Sequence, residues 1–499
     1  MTPVDVDQHR RRAEEFIGAL DLEYYQHFSG QKEVCDFTAI YDRFPELFTK
    51  QTIDELEADY KNYKGESRRA PAYLLAFMVD GFMGAQTKEL TDEIANAESQ
   101  ATIEVDGEVI GLRQASIAQA NEADRERRQR IQDARLAATE EVLNPRLDQL
   151  WRKAHDLARV LGYDDYMALY SEVKGTDYLM LRAQMEGFLQ DTESIYERSL
   201  DKLAFAKMGL GLSELRSSDL PYLWRAAGYD HVFTAERLLP TFTATLAGMG
   251  IDLAAQNNVH IDAEPRELKS PRAFCSPVRV PDEIYLCVMP KGGQDDYGAL
   301  LHEGGHTEHF AHTDPSLPFE FRHLGDNSVT EGFAFIFDHL LLNPRWLERY
   351  LDFTDSADFL TLANVIELHF LRRYSGKLAY ETILHTQTGP LDAMAQVYSD
   401  KLSDAVRVQI PSQNYLADVD DGFYAASYLR AWLLEGAFRM ILQDRYSMEW
   451  FCNPKAIDFL RQLWSHGQNF NADQLLLKNG GGKLDADPLK HHIERALGR

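Results

Sequence analysis

The segment LLHEGGHTEH, residues 300–309, contains a His-Glu-x-x-His pattern and determines how the rest of the chain is interpreted. His302 and His306 are four positions apart, so on a helix both imidazoles project from one face and can bind the same Zn²⁺ ion. Glu303 directly follows the first histidine, where its carboxylate can reach a water at the metal and act as general base. The segment therefore predicts a catalytic zinc site on an α-helix.

A third metal ligand is predicted from the segment NSVTEGFAFIFDHLL, residues 327–341. Glu331 stands at the start of this apolar helix pattern, and two facing helices would then supply two histidines and one glutamate. Three protein ligands leave the fourth position of a tetrahedral site open, which is typical of catalytic zinc. Two other glutamates are alternatives: Glu308 lies only two positions after His306, on another face, and Glu320 lies in a proline-rich loop.

Residues 272–293, just upstream of the zinc motif, predict a β-hairpin. Two β-rich runs, at about 273–280 and 283–289, are joined by a Pro-Asp turn. We expect the strand at 284–289 to pair with the backbone of an extended peptide. A second hairpin is expected at 101–115, where an Asp-Gly pair separates two alternating runs.

Most of the remaining sequence has the three- and four-residue apolar spacing of helices, including one long charged helix at about 116–148. The expected fold class is therefore mainly α, with a small sheet next to the zinc helix. Three consecutive parts are predicted. They are an N-terminal helical region (1–115), a helical lobe (116–270) and a catalytic zinc lobe (271–499).

Composition limits the classes of partner. The 499 residues include 52 Lys and Arg against 79 Asp and Glu, a formal net charge of −27. A chain this acidic repels phosphate groups, so neither nucleic acid nor an anionic membrane is an expected partner. The N-terminus shows no signal-peptide pattern, and four cysteines are too few for a disulfide scaffold. We expect a cytoplasmic protein in a reducing environment.

The motif HEGGHTEH resembles the HExGHxxH signature of the M3 family of zinc oligopeptidases, the group of thimet oligopeptidase, neurolysin and oligoendopeptidase F. Gly305 and His309 match the glycine and the extra histidine of that signature. The spacing from His302 to Glu331 is also similar to the family's. The resemblance implies a two-lobed helical zincin with a deep channel, one zinc ion per chain and short peptides as substrates.

Two residues near the motif have open roles. His309 lies two turns after His302 and is expected to pack or to contact a ligand rather than bind metal. Asp338, seven positions after Glu331, either orients a histidine or is an ordinary carboxylate at a helix end.

A downstream block, residues 418–432 (DVDDGFYAASYLRAW), resembles the M3 segment whose histidine and tyrosines contact the oxyanion. Tyr424 and Tyr428 share a helix face, so either could donate the hydrogen bond that stabilises the oxyanion. The block departs from the family pattern at three positions, which hold Asp418, Phe423 and Arg430.

The leading hypothesis is a zinc metallopeptidase, of the metalloendopeptidase class, that hydrolyses short peptides with Glu303 as general base. A metallocarboxypeptidase or dipeptidase on the same fold is an alternative, as is a helical binding protein without activity. The carboxypeptidase would need a cation for the terminal carboxylate of its substrate. Arg430, which could equally form a structural ion pair, is one candidate for this cation, and the others are Arg372, Arg373 and Lys291.

Overall fold

The computed structural model describes residues 6–498 and has the mainly α fold predicted from the sequence. No helix in this range is both long and apolar enough to cross a membrane. The helices are α1 (Val6–Phe28), α2 (Phe37–Asp42), α3 (Lys50–Tyr60), α4 (Arg69–Gln100), α5 (Leu112–Asn121), α6 (Arg125–Ala138), α7 (Asn144–Val160), α8 (Tyr166–Lys174), α9 (Tyr178–Met208), α10 (Leu220–Trp224), α11 (Ala235–Gly248), α12 (Gln294–Ala311), α13 (Phe319–His323), α14 (Asn327–Asp338), α15 (Pro344–Leu351), α16 (Ala357–Leu384), α17 (Met394–Val406), α18 (Tyr424–Tyr446), α19 (Pro454–Ser465), α20 (Ala472–Lys478) and α21 (Asp487–Leu497).

The chain forms two compact units, each assembled from segments that are not consecutive in sequence. Unit 1 contains the N-terminal segment through Phe82, Ala227–Leu360 and Arg430–Leu489. Unit 2 contains Met83–Ala226, Thr361–Leu429 and the C-terminal residues from Lys490. The divisions expected after residues 115 and 270 fall inside unit 2 and unit 1, respectively. Apolar periodicity identifies helices, but it does not indicate which helices pack together.

Unit 1 contains a three-stranded sheet with the order β3 (Val259–Asp262), β5 (Glu283–Cys287), β4 (Phe274–Arg279). Strands β4 and β5 are the predicted hairpin, whereas β3, which runs parallel to β5, was not predicted. The expectation that residues 284–289 pair with a peptide is wrong, because β5 already has a strand on each side. Among the described residues, the free edge of this sheet on the hairpin side belongs to β4.

Unit 2 contains the second predicted hairpin, formed by β1 (Thr102–Val105) and β2 (Glu108–Gly111). Its turn residues, Asp106 and Gly107, have φ angles of 56° and 82°. Two consecutive residues with positive φ match the right-handed twist of the flanking strands, which is why Asp-Gly is favoured here.

The charged stretch at 116–148 is not one helix. Helix α5 ends at Asn121, and Asp124 caps the start of α6 by accepting a hydrogen bond from the backbone N–H of Arg127. The charged side chains of this stretch are not all exposed to solvent either. The side chain of Arg128 is only 2% exposed and lies 2.9 Å from Asp219, which is fully buried. The break allows α6 to turn a charged residue into the interior of unit 2.

Candidate metal centre

The zinc motif lies in α12, which packs closely against α14. The two helices approach each other closely at Gly305. A Cβ atom at this position would lie 2.6 Å from Cα of Ala334 and 2.7 Å from the carbonyl oxygen of Phe333. Any larger residue would push the helices apart, so glycine is required by the packing. The close approach also brings His306 next to the helix that carries Glu331.

The three predicted metal ligands lie together. Nε2 of His302 is 3.2 Å from Oε2 of Glu331, and Nε2 of His306 is 3.6 Å from the same oxygen. The three donor atoms are all within 4.8 Å of one another. Residues from two helices are thus arranged so that one ion could contact all three.

The opposite ring nitrogens of the two histidines have protein partners. Nδ1 of His302 is 3.1 Å from Oδ2 of Asp338, and Nδ1 of His306 is 2.7 Å from Oγ1 of Thr330. These contacts orient both rings so that Nε2 faces Glu331. Metal-binding histidines are held in this way, through the ring nitrogen that does not bind the ion. Two imidazoles and one carboxylate also match the donor preference of zinc, so zinc fits the site.

The electrostatics of the cluster reflect three polar groups brought together in a buried place. Burial acts to lower the pKa of His302. Hydrogen bonds and charges from Asp338 and Glu331 have a larger, opposite effect and raise the pKa to about 10. Burial likewise raises the pKa of Glu331, but the neighbouring His306 and His302 outweigh it and hold the pKa below its usual range. The site therefore favours a positive charge next to the carboxylate of Glu331, as a bound cation would supply.

Glu303 points to the sheet. Its Oε2 accepts a hydrogen bond of 2.9 Å from the backbone N–H of Cys275 in β4. The candidate general base therefore follows the predicted ligand His302 in α12 and contacts the outer edge of β4. An extended peptide on that edge would lie beside this carboxylate.

Helix α1 contributes two residues that the sequence did not indicate. Burial raises the pKa of Asp21 to about 7. Burial, and then the charges of Glu303 and Asp21, raise the pKa of Tyr24. Tyr24 therefore lies in the electrostatic surroundings of the candidate base, and Asp21 lies near Tyr24. No local pattern marks them, because α1 and α12 are separated by more than half of the chain.

The two alternative glutamates have other partners. Glu308 is buried and accepts a hydrogen bond from Nε2 of Gln256 at 3.0 Å. Glu320 is buried and accepts from Nε of Arg10 at 2.7 Å. Neither belongs to the group of donor atoms around Glu331.

His309 lies apart from the metal ligands. It is fully buried, its Nε2 is 3.2 Å from the carbonyl oxygen of Gly467, and its ring packs against Phe333 at 4.7 Å. Burial lowers its pKa to about 3, so the ring is neutral. These contacts agree with a packing role.

The predicted oxyanion residues Tyr424 and Tyr428 lie at the start of α18, in unit 2. Their ring centroids are 5.0 Å apart and nearly perpendicular, and Tyr428 also contacts the ring of Tyr374. The predicted metal ligands and Glu303 belong to unit 1. The oxyanion role of the two tyrosines therefore stays a prediction.

Arg430 forms a structural ion pair. Its Nη2 is 2.9 Å from Oδ2 of Asp326, and its Nη1 is 2.9 Å from Oδ2 of Asp473. Asp326 is also the N-cap of α14, where it accepts from the backbone N–H of Ser328. Arg430 thus supports the start of the helix that carries Glu331.

Two other candidate cations for a terminal carboxylate are also engaged, within unit 2. Arg372 is buried and donates to the carbonyl oxygens of Ala405 and Leu189. Arg373 pairs with Asp418, the residue at the position of the family histidine. These contacts weaken the carboxypeptidase alternative.

Comparison with known proteins identifies the fold. No protein-family model matches the sequence, and the search of curated proteins found no match. Among solved structures, a protein from Bacillus anthracis strain Ames assigned as an oligoendopeptidase F is similar over 97% of this chain and 89% of its own, with a TM-score of 0.69 and 15% identity. PZ peptidase A, solved with an inhibitor, is similar over 98% of this chain and 91% of its own, with a TM-score of 0.70 and 13% identity. At such identities the likeness establishes the fold, which is the helical fold implied by the sequence resemblance.

Proposed function

We propose that the chain is a zinc-dependent peptidase of the M3 oligopeptidase type that hydrolyses short peptides in the cytoplasm. The observation that carries this proposal is the cluster of His302, His306 and Glu331, with Glu303 next to His302 in the sequence of α12. A fold alone does not determine an activity, so the argument rests on the site. The names of the two structural neighbours, both peptidases, are in agreement with it.

Zinc would be held by Nε2 of His302, Nε2 of His306 and a carboxylate oxygen of Glu331. When bound, it would supply Lewis acidity that polarises a carbonyl group and favours deprotonation of water. Asp338 and Thr330 would keep the two imidazoles in the tautomer and orientation that present Nε2.

Glu303 would act as general base and then as general acid. Its carboxylate would remove a proton from the attacking water as the new C–O bond forms at the scissile carbonyl. It would then deliver that proton to the amide nitrogen, so that the C–N bond breaks and a neutral amine leaves. The hydrogen bond from the N–H of Cys275 holds this carboxylate at the edge of β4.

The substrate would bind in an extended form along the outer edge of β4, next to Glu303. Pairing through backbone groups gives affinity that tolerates different side chains, as expected of a peptidase for varied short peptides. Tyr428 or Tyr424 would donate a hydrogen bond to the oxyanion that develops on the carbonyl oxygen. The role of the two tyrosines follows from the family resemblance, and the role of β4 follows from the strand order.

The proposal is tested by measuring zinc content and the cleavage of a peptide library whose members are capped at both termini. The wild type is expected to contain about one zinc ion and to cut capped peptides. Glu331→Ala should lose the metal. Glu303→Gln should keep the metal and lose at least about 10²-fold in kcat, the usual contribution of general acid–base catalysis. Glu348→Gln, a half-exposed glutamate of unit 1, is the matched control and should change neither quantity.

Three results would contradict the proposal in different ways. A wild type that binds no zinc would refute the metal site. Full activity in Glu303→Gln would refute the assigned base. Cleavage that requires a free C-terminal carboxylate would replace the endopeptidase by a carboxypeptidase on the same fold.

A further inference from the structure

Unit 2 contains a cavity of about 430 Å³ that takes no part in the proposed peptidase site. It lies between helices α6, α10, α16 and α17, and all of its lining residues belong to unit 2. Its volume is within the range of pockets that hold small organic molecules. We define this space by its lining residues as the unit 2 cavity.

Much of the wall of the unit 2 cavity is apolar. Phe370 is 40% exposed, which is unusual for a phenylalanine and leaves an aromatic ring available to a ligand. Trp224 offers a second aromatic ring, whose centroid is 4.7 Å from that of His369. Further apolar lining comes from Leu136, Leu220, Leu402 and Val406.

The polar lining is cationic. No aspartate or glutamate is among the described lining residues, although the whole chain has a net charge of −27. Two arginines are present. Arg373 is neutralised by Asp418. Arg135 has only a neutral partner in the described part of the chain: its Nη1 donates to Oε1 of Gln119 at 2.7 Å.

Within residues 6–498, Arg135 is therefore a half-buried cation without a counter-charge. Burial lowers the pKa of its guanidinium, because the charged form loses hydration. A buried charge is normally paired, so an unpaired guanidinium beside a cavity calls for an anion. The fork of N–H donors on arginine suits a carboxylate in particular.

Other hydrogen-bond donors line the same cavity. The Oγ of Ser217 accepts from Nε2 of Gln132 at 2.7 Å, which leaves the hydroxyl hydrogen of Ser217 free to be donated. His369 is held through Nδ1 by the hydroxyl of Tyr196 at 2.7 Å. If the tyrosine donates, the ring proton lies on Nε2. Burial lowers the pKa of His369 to about 3, so the ring is a neutral donor.

We propose that the unit 2 cavity binds a small monocarboxylate with an apolar body. The carboxylate would pair with Arg135 and accept from Ser217, and the body would pack against Trp224 and Leu402. One unpaired cation balances one negative charge, which favours a carboxylate over a phosphate group of charge near −2. The same chemistry is offered by a free aromatic or aliphatic acid and by the C-terminus of a short acylated peptide.

Binding is tested by calorimetry on the full-length protein with 4-phenylbutyrate, its neutral amide, and 4-phenylbutylamine. We expect the acid to bind at least tenfold more tightly than the amide and the amine not to bind. Arg135→Gln should lower the affinity for 4-phenylbutyrate at least tenfold and abolish the preference for the acid over its amide. Arg130→Gln is the matched control, because this arginine lies in the same helix, is 49% exposed and pairs with Asp106. N-acetyl-leucine, compared with 4-phenylbutyrate, distinguishes a peptide C-terminus from a free acid as the preferred source.

Two further variants keep the test decisive. His302→Ala removes a metal ligand and should leave the affinity for 4-phenylbutyrate unchanged, which separates this cavity from the zinc site. Because the ligand would pack against Trp224, 4-phenylbutyrate should change the tryptophan fluorescence of the wild type, and Trp224→Phe should retain binding but lose this change. If Arg135→Gln does not fold, Arg135→Lys tests the same role, since it keeps the charge without the fork and should bind several-fold more weakly. Equal affinities for acid, amide and amine, loss of binding in His302→Ala, or full binding in the Arg135 variant would overturn the proposal.

Discussion

Substitution of Gly305 by alanine tests whether the contact between α12 and α14 builds the metal centre. The added Cβ would lie 2.6 Å from Cα of Ala334, which is 0.8 Å shorter than the 3.4 Å at which ordinary contacts begin. The other two close atoms, the carbonyl oxygen of Phe333 and the nitrogen of Ala334, are also backbone. None of these atoms can rotate away, so the helices must separate.

The change in unfolding free energy of Gly305→Ala follows from two opposed effects. Overpacking of this kind costs about 1–3 kcal/mol. Replacing glycine by alanine inside a helix contributes up to about 1 kcal/mol of stability through propensity. Gly298→Ala, in the same helix, provides the matched control, because its Cβ would meet only Leu341 at an ordinary 3.6 Å. The difference in unfolding free energy between the two variants therefore isolates the clash and should be about 1–3 kcal/mol.

The assay is chemical denaturation of the metal-free variants, followed by zinc titration against a competing chelator. Gly305→Ala should be less stable than Gly298→Ala and should bind zinc about tenfold or more weakly, because His306 moves relative to Glu331. The stability of Gly304→Ala is expected to lie between those of the other two variants, since the close contact of its Cβ is the side chain of Phe242, which can move. Equal stability and equal zinc affinity in Gly305→Ala and Gly298→Ala would refute the reasoning.

Three further predictions concern the supporting polar contacts. Asp338→Asn should weaken zinc binding about 10–100-fold, because the partner of His302 Nδ1 loses its charge; unchanged affinity in a chelator competition would argue against this role. Asp219→Asn should destabilise the protein by about 3–5 kcal/mol, since Arg128 would be left buried without a counter-charge. A denaturation midpoint equal to that of the wild type would contradict this prediction. Burial acts to raise the pKa of Asp219, but hydrogen bonds from Arg125 and Arg128 outweigh it and hold the pKa below its ordinary value. The contribution of Asp219 to the free energy of unfolding is therefore present above about pH 4 and is lost as pH falls through the lower folded pKa. The stability difference between wild type and Asp219→Asn should therefore shrink on acidification, and a difference independent of pH would count against the ion pair.

The sequence predicted the features whose physical cause is local. The spacing of His302 and His306 follows from the helical repeat, and Asp106-Gly107 selects a hairpin turn by its backbone preference. Glu331 could be selected as well, since it begins an apolar helix that had to pack against the zinc helix. Each of these inferences needs only residues that are close in the chain, or one pairing between two helices.

The role of β5 could not be predicted, because strand order depends on a segment without a clear signal. Strand β3 has four residues, of which two are exposed, and its pattern does not alternate. Once β3 pairs with β5, the free edge passes to β4. The predicted hairpin was therefore right, while the strand assigned to the substrate was wrong.

What the sequence by itself determined is the set of chemical groups and the helical framework that presents them. Only the tertiary structure decided which of these groups are paired within the protein and which can contact a ligand. Arg430 was open to two roles until Asp326 and Asp473, 104 and 43 residues away, were found beside it. Arg135 lies in an ordinary charged helix by its sequence, but among the described residues it has only a neutral partner, and it faces a cavity. The physical reason is that the balance of a buried charge depends on its neighbours in space, and these come from distant parts of the chain.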